Sequence, residues 1–368
     1  FYFFHTFSLS RFLLRMYSKG SCSAKQIQEV VESVDVLNSA SVGRLETLLG
    51  RFLNTIPDEL KTNNPELEAL QQAHSYAHNM FVDLQTDYQR MKHYTKQGLI
   101  PPTSYSIGVR QDTKPDGSQV EVEAQAQYVS VISTLQKYRE HYQSLAQHRS
   151  EGGIASYVDT DRFRTSEYHQ THPNNIMLIL YHDDIEVANV LGSRAGVYKM
   201  TMFYYSIHGQ NASKLQSIHL AIVCHATDLK QFGYSAVLKP FIDDMSKLYH
   251  GVSIGSFDHS DLLHATLEHI AGDNLAVNAL LGMNQSFSAG YFCKLCYIPG
   301  SEVSSSTRAS GQLPRCRVSQ QFDAEMVKAL PDFSTRTGVK NACPLDELEY
   351  FSGVESTVPD IMYVCKSR

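Results

Sequence analysis

The chain has 368 residues, of which 42% are hydrophobic and 19% charged, a composition that can supply a buried core and excludes wholesale disorder. At roughly 150 residues per domain, this length predicts two or three domains. The 32 Lys and Arg against 38 Asp and Glu give a net charge of −6, which excludes a basic coat over the whole chain and confines any nucleic-acid contact to local patches.

Residues 1–102 are predicted to form a helical N-terminal region. Apolar residues recur at helical spacing over residues 26–37, and residues 67–96 predict a second long helical stretch. Residues 1–17 are apolar and can also be interpreted as a targeting peptide. Because Arg11 and Arg15 interrupt this run and no small-residue cleavage site follows it, we favour a first helix that packs on the helical region. No membrane span is expected, since a span requires about 20 apolar residues.

Residues 103–172 are predicted to be a β segment followed by a linker helix. A strand is expected near residues 105–110, a turn at residues 115–117, and an alternating strand over residues 120–131. Residues 132–148 then have a helical pattern.

Residues 173–290 have the pattern of an α/β core. Strands are predicted at residues 175–181, 198–207 and 215–223, with a helix at residues 229–249. Residues 264–271 fit either a fourth strand or the start of a helix, and residues 275–281 predict a helix. The remaining segment, residues 291–368, contains five of the seven cysteines.

Two aspartates are the most informative residues of this core. Asp183 and Asp273 each follow a predicted strand of the same sheet. Carboxylates at neighbouring strand ends can hold divalent ions, which activate a water or hydroxyl for phosphodiester chemistry. The alternative is that each Asp serves only the turn in which it lies. The spacing alone leaves both interpretations open.

The cysteines favour a reducing compartment, because seven thiols spread over a long chain make a poor disulfide framework. Cys293 and Cys296 form a C-x-x-C pair, which suits two ligands of a structural zinc ion or, less well, a redox dithiol. No His follows Cys296, so the further zinc candidates are Cys316, Cys343 and Cys365.

Two other patterns are weaker. Residues 251–255 match G-x-S-x-G, but a hydrolase nucleophile elbow needs a strand before its serine, and here a helix is predicted before Ser253. His259, His264 and His269 form a loose cluster in the sequence. Since a spacing of five does not share a helix face well, we favour surface or half-buried histidines over ligands.

Four blocks of the chain resemble the transposases of CACTA (En/Spm-like) DNA transposons. They are residues 178–204 (LILYHDDIEVANVLGSRAGVYKMTMFY), residues 270–296 (IAGDNLAVNALLGMNQSFSAGYFCKLC), residues 337–343 (TGVKNAC) and residues 358–362 (VPDIM). The resemblance implies an RNase H-like mixed α/β sheet, preceded by the helical region and the small β segment. It also implies a DDE-type site that uses Mg²⁺ or Mn²⁺.

The resemblance assigns roles by position. Asp183 fits the first acidic residue, with Asp184 as the fallback, Asp273 fits the second, and Asp360 is the nearest candidate for the third. Asp183 and Asp184 would point to opposite faces of a strand, so only one of them can serve. The implied partner is DNA at transposon ends, with self-association into a homo-oligomer and a nuclear location, and the implied reaction is metal-dependent cleavage and strand transfer.

The same resemblance matches Cys293, Cys296 and Cys343 to a zinc-like insertion, with Cys316 as a substitute for a missing His. The chain departs from the family at Tyr363, where a His is usual. Asp360 lies eight residues from the last residue, Arg368, so we expect a fragment or decayed copy in which cleavage is weak or lost. The alternative is a non-catalytic, transposon-derived protein that binds nucleic acid or protein.

Overall fold

The computed structural model describes most of the chain, in two compact units, Phe1–Pro101 and Pro102–Arg368. The described residues are 2–18, 22–61, 64–78, 81–114, 116–139, 157–186, 199–210, 214–254, 262–303, 305 and 312–358. None of the described helices is both long and apolar enough to cross a membrane.

The first unit is helical. Its helices are α1 (Tyr2–Ser18), α2 (Ala24–Thr55), α3 (Asp58–Lys61), α4 (Pro65–His78) and α5 (Asp87–Lys96). The stretch predicted as one helix over residues 67–96 is divided, because Thr86 begins a new helix. The Thr86 side chain accepts the Gln89 N–H while the Gln89 side chain accepts the Thr86 N–H, a reciprocal cap that fixes a helix start.

A buried arginine holds part of this unit together. The Arg90 side chain has no exposed surface. Its guanidinium donates to the Leu84 and Gln85 carbonyl oxygens at 3.0 and 3.1 Å, to Gln28 Oε1 at 2.9 Å and to the Tyr17 hydroxyl at 3.1 Å. These bonds connect α1, α2 and α5, because each of the three helices contributes a residue.

The second unit is built on a mixed six-stranded sheet, which confirms the predicted α/β class. The strands are β1 (Thr103–Thr113), β2 (Gln119–Tyr128), β3 (Ile176–Glu186), β4 (Lys199–Ile207), β5 (Ile218–His225) and β8 (Ala265–Ala271), in the order β1-β2-β5-β4-β3-β8. Only β3 and β8 pair in parallel; the other neighbours are antiparallel. A separate ribbon pairs β6 (Val252–Ser253) with β7 (Leu262–Leu263).

Residues 264–271, which the sequence left undecided, therefore form a strand. On the side away from β3, this strand forms a parallel bridge between Ile270 and Thr357. The Ile270 N–H donates to the Ser356 carbonyl oxygen, and the Val358 N–H donates to the Ile270 carbonyl oxygen. The segment leading to Val358 thus runs beside β8 in the same direction.

Short and long helices complete the second unit. They are α6 (Val131–Lys137), α7 (Asp161–Arg164), α8 (Glu167–Thr171), α9 (Ala226–His250), α10 (Asn274–Leu280), α11 (Gly300–Val303), α12 (Arg317–Ala329) and α13 (Ser334–Thr337). The buried side of α9, which includes Val237, Phe241, Met245 and Leu248, belongs to the same core as the inner residues of the sheet. Gly233, at φ 82° and ψ 168°, interrupts the helical backbone of α9, a conformation that glycine adopts without a Cβ penalty.

Candidate functional site

The site forms where β3 and β8 end side by side. The last paired residues of these parallel strands are Tyr181 and Ala271, and Asp183 and Asp273 each lie two residues further along. Parallel strands place their carboxyl ends at one edge of the sheet, where ligands bind in many α/β proteins. The structure therefore brings the ends that carry the two predicted aspartates together.

β3 is longer than its apolar run predicts. It was expected to end at Tyr181, but it pairs with β4 as far as Glu186 opposite Lys199. Asp183 and Asp184 therefore lie inside the strand, because the backbone of β4 supplies hydrogen bonds whatever the polarity of the side chains.

The two adjacent aspartates have different surroundings. Asp184 Oδ1 accepts a hydrogen bond from the Thr201 hydroxyl at 2.5 Å, and Asp184 Oδ2 forms an ion pair with Lys199 Nζ at 2.9 Å. Asp183 is exposed, and its Oδ1 accepts the Asp184 N–H at 2.8 Å. Both aspartates are exposed; Asp184 is bonded to β4 through both of its oxygens, whereas Asp183 uses one oxygen for a backbone N–H.

Asp273 begins α10. Its Oδ1 accepts the Ala276 N–H at 2.6 Å, the usual bond of a helix N-cap. Gly272, before it, has a φ of 155°, and a Cβ on this residue would lie 3.6 Å from the His182 carbonyl oxygen. The turn from β8 into α10 therefore passes directly against β3.

His182 is a site residue that the sequence analysis missed. It is buried, and its Nε2–H donates to the Ala276 carbonyl oxygen at 2.9 Å. The ring stacks on Phe203 with centroids 5.1 Å apart and meets Tyr234 edge-on at 5.6 Å. Within the described part of the chain, its Nδ1 has no hydrogen-bond partner. The signal in the sequence was a lone His between an apolar run and two aspartates.

The carboxylates of the site act on the ionisable groups around it. Burial lowers the pKa of His182, while the charges of Asp184, Asp273 and Asp183 oppose that shift. Burial raises the pKa of Tyr234, and Asp184 and Asp273 raise it further. All three carboxylates therefore lie near enough to act on the buried His182 imidazole.

Tyr204 and Lys199 complete the surroundings. Burial and the charge of Asp183 raise the pKa of Tyr204. The hydrogen bond to Asp184 raises the pKa of Lys199, and the charge of Asp183 adds to this. Lys199 therefore balances part of the negative charge at this edge.

Carboxylate oxygens are the ligands that Mg²⁺ and Mn²⁺ prefer, so the chemistry of Asp183 and Asp273 fits such an ion. No group of three or more His, Cys, Asp or Glu residues arranged to hold a metal occurs among the residues that the structure describes. Asp360, the expected third acid, lies outside them.

The C-x-x-C pair is close enough to share a metal ion. Cys293 Sγ and Cys296 Sγ lie 3.7 Å apart, which matches two thiolates at about 2.3 Å from one tetrahedral zinc ion. Burial raises the pKa of Cys296.

The other cysteines are placed differently. Cys343 is buried in the sheet core, where its Sγ packs against Gly353 and burial raises the pKa of its thiol. Cys316 begins α12 and follows a bridge between Cys296 and Pro314 by two residues. Hydrogen bonding by Ser319 lowers the pKa of Cys316. Among the described residues, no third thiol joins the pair in a metal-binding group.

Lys294 connects the C-x-x-C loop to the aspartate site. Its side chain is buried, and its Nζ donates to Asn274 Oδ1 at 2.7 Å. Asn274 is the residue directly after Asp273. The cysteine loop therefore supports the first turn of α10.

The two weaker patterns do not form catalytic groups in the described residues. Ser253 lies on the two-residue strand β6, directly after α9, which is not the strand-before-serine context of an elbow. His264 packs against His172 with centroids 4.2 Å apart, and His269 packs against Tyr157 at 4.6 Å. His259 lies outside the described residues.

Comparison of the chain with protein-family models and with curated proteins finds no match to either.

Proposed function

We propose that the second unit contains an RNase H-like core whose divalent-ion site cleaves phosphodiester bonds of DNA and transfers strands, as in a DDE-type transposase. One observation carries this proposal: the acidic end of β3 lies beside the end of β8 at which Asp273 begins α10. The chain order supports it as well. Three antiparallel strands, β3, β4 and β5, are followed by α9 and then by β8, parallel to β3.

The surroundings of the aspartates favour Asp183 and Asp273 as the ion's ligands. Asp184 is already bound to Thr201 and Lys199, so we assign it to fixing β3 on β4. Asp183, which is exposed like Asp184, is bonded through one oxygen to its neighbour's N–H. Asp360 remains the candidate third ligand.

A bound Mg²⁺ or Mn²⁺ would polarise the scissile phosphate and lower the pKa of the attacking water. Asp183 and Asp273 would orient the ion against the DNA backbone. His182 would hold the first turn of α10, and therefore Asp273, in place. Lys294 would support the same turn through Asn274, and a zinc ion on Cys293 and Cys296 would stabilise the loop that carries Lys294.

A second candidate is a non-catalytic protein that keeps this fold. Two observations favour it: the net charge of −6 repels a polyanion outside local basic patches, and Lys199 is engaged with Asp184. This candidate would retain partner binding without cleavage.

Nicking of supercoiled plasmid DNA separates the two candidates. The whole chain is incubated with Mg²⁺ or Mn²⁺ beside Asp183→Asn, Asp273→Asn and, as a control, Glu46→Gln on an exposed position of α2. We expect slow, metal-dependent nicking that both aspartate variants lose and the control keeps. Equal metal-dependent nicking by the aspartate variants would overturn the proposed site. Ion binding without nicking would support the non-catalytic candidate.

A further inference from the structure

Helix α2 has an apolar stripe that the first unit leaves uncovered. Leu45, Leu48 and Phe52 have 59%, 54% and 57% of their surface exposed. Their spacing of three and four residues places them on one helix face. Leu37, which is 70% exposed and lies eleven residues before Leu48, extends the same face. From Leu37 to Phe52 the stripe is about 22 Å long at 1.5 Å per residue.

The neighbouring face of α2 is the one that packs on α4. Val42 is buried, and Leu49 and Leu53 are half-buried. Asn38 Nδ2 donates to the Ala77 carbonyl oxygen of α4 at 2.5 Å. The apolar surface of α2 is therefore wider than α4 covers. Contiguous exposed apolar surface of this kind marks interaction sites.

The open edge of the stripe is basic. Arg44 lies four residues before Leu48 and Arg51 three residues after it, so both flank Leu48 on the helix surface. Both arginines are exposed, and neither makes an ion pair or hydrogen bond with any residue that the structure describes. Glu46 lies on the edge beside Val42 and Leu49, away from the stripe. The unpaired charge next to the stripe is thus positive.

We infer that this stripe is a docking surface for an acidic amphipathic helix of a partner protein. Leucine-like side chains of that helix would cover Leu45, Leu48 and Phe52, and its carboxylates would pair with Arg44 and Arg51. Such helix-in-groove recognition uses apolar anchors at i, i+3 and i+7. A second copy of this chain fits less well. Antiparallel packing would bring the arginines of the two copies together, and parallel packing would aim them at the edge that α4 covers.

Two synthetic helical peptides of 21 residues test the inference. Both carry leucines at i, i+3 and i+7; one has Glu at the flanking positions and its twin has Lys. Fluorescence anisotropy of labelled peptide is measured against the whole chain. We expect the Glu peptide to bind about tenfold tighter than the Lys peptide, since two rim ion pairs contribute up to about tenfold together.

Variants of the whole chain decide the outcome. Leu48→Glu should lower the affinity for the Glu peptide by about 30-fold or more, because it places a charge at the centre of the contact. Val36→Glu is the control, since Val36 is also exposed, at 70%, but lies off the stripe. The double variant Arg44→Glu/Arg51→Glu should reverse the preference towards the Lys peptide. Equal binding of both peptides, absence of binding, or sedimentation showing a wild-type dimer that Leu48→Glu dissociates would overturn the inference.

Discussion

His182 and Asp273 bind opposite ends of one residue: Asp273 Oδ1 accepts the Ala276 N–H at 2.6 Å, and His182 Nε2–H donates to the Ala276 carbonyl oxygen at 2.9 Å. These two hydrogen bonds to the Ala276 backbone, called the clamp below, join β3 to the first turn of α10. Through Ala276, the position of the Asp273 carboxylate depends on the strand that carries Asp183.

This clamp predicts different effects for two substitutions of His182. His182→Phe keeps a ring that stacks on Phe203 but loses the donor, whereas His182→Gln keeps an N–H at the reach of Nε2. We expect Mn²⁺ affinity to fall about tenfold in the Phe variant, as for other groups that orient metal ligands. The Gln variant should stay within about threefold. Mn²⁺ titration followed by electron paramagnetic resonance measures both, and equal affinities would show that Ala276 is not held through this bond.

The lowered pKa of Glu268, on β8, predicts that the free energy of unfolding decreases in acid. Burial alone would raise the pKa of Glu268, but hydrogen bonds from His169, Thr266 and Tyr157 and the His169 charge lower it below its ordinary 4.5. A lowered pKa in the folded state means that the charged carboxylate stabilises the fold above pH 4.5. That contribution is lost as the pH falls through the lower, folded-state value.

We therefore expect Glu268→Gln to cost about 2 kcal/mol at pH 7, the scale of hydrogen bonds to a charged group. The difference from wild type should shrink below pH 4.5. Urea denaturation at pH 3 to 8 measures it, with Glu46→Gln as the exposed control. A difference that grows towards low pH would contradict the assigned direction.

The positions of the cysteines predict a zinc site that uses Cys293 and Cys296 but not Cys343. Cys293→Ser and Cys296→Ser should each abolish binding of one zinc ion per chain, because their sulfurs are 3.7 Å apart. Cys343→Ala should keep the ion, since Cys343 is packed in the core against Gly353. Metal analysis of protein dialysed with Zn²⁺ reports the stoichiometry. Loss of zinc in the Cys343 variant would restore the ligand set expected from the sequence.

Arg90 predicts a strong dependence of the first unit on one side chain. Arg90→Met removes the donors of the buried Leu84 carbonyl group and the partly buried Gln85 carbonyl group, and an unsatisfied buried polar group costs about 1–3 kcal/mol. We expect a loss of about 3 kcal/mol in unfolding free energy by urea denaturation. Arg51→Met, on an exposed position of α2, should change it by less than about 0.5 kcal/mol. Equal effects would mean that the buried bonds contribute nothing.

The sequence predicted the apolar elements of the fold and fewer of the polar ones. The run at residues 175–181 indicated β3 because buried strands need continuous apolar residues. Its polar extension through Asp183 and Asp184 was not predictable, since pairing with β4 supplies it. Residues 264–271 were ambiguous because a short apolar run fits a strand or a helix, and only the pairing with β3 decides.

The sequence predicted the charged residues of the candidate site. It did not predict the residues that hold those side chains in place. Asp183 and Asp273 stand out because each follows a strand in the pattern. His182 acts through the Ala276 carbonyl group and Lys294 through Asn274, and a sequence pattern gives no sign of such tertiary hydrogen bonds. The break before Thr86 was also missed, although its Thr-x-x-Gln spacing is a capping signal.

Binding of Mn²⁺ by the whole chain tests the central claim most directly. Free Mn²⁺ is measured by electron paramagnetic resonance for wild type, Asp183→Asn, Asp273→Asn and Glu46→Gln. Asn at residue 273 still caps α10, so its effect reports the lost charge and not an unfolded helix. The account predicts one ion bound by wild type and by Glu46→Gln, with affinity at least about tenfold lower in both aspartate variants. Equal affinity in all four proteins would contradict it.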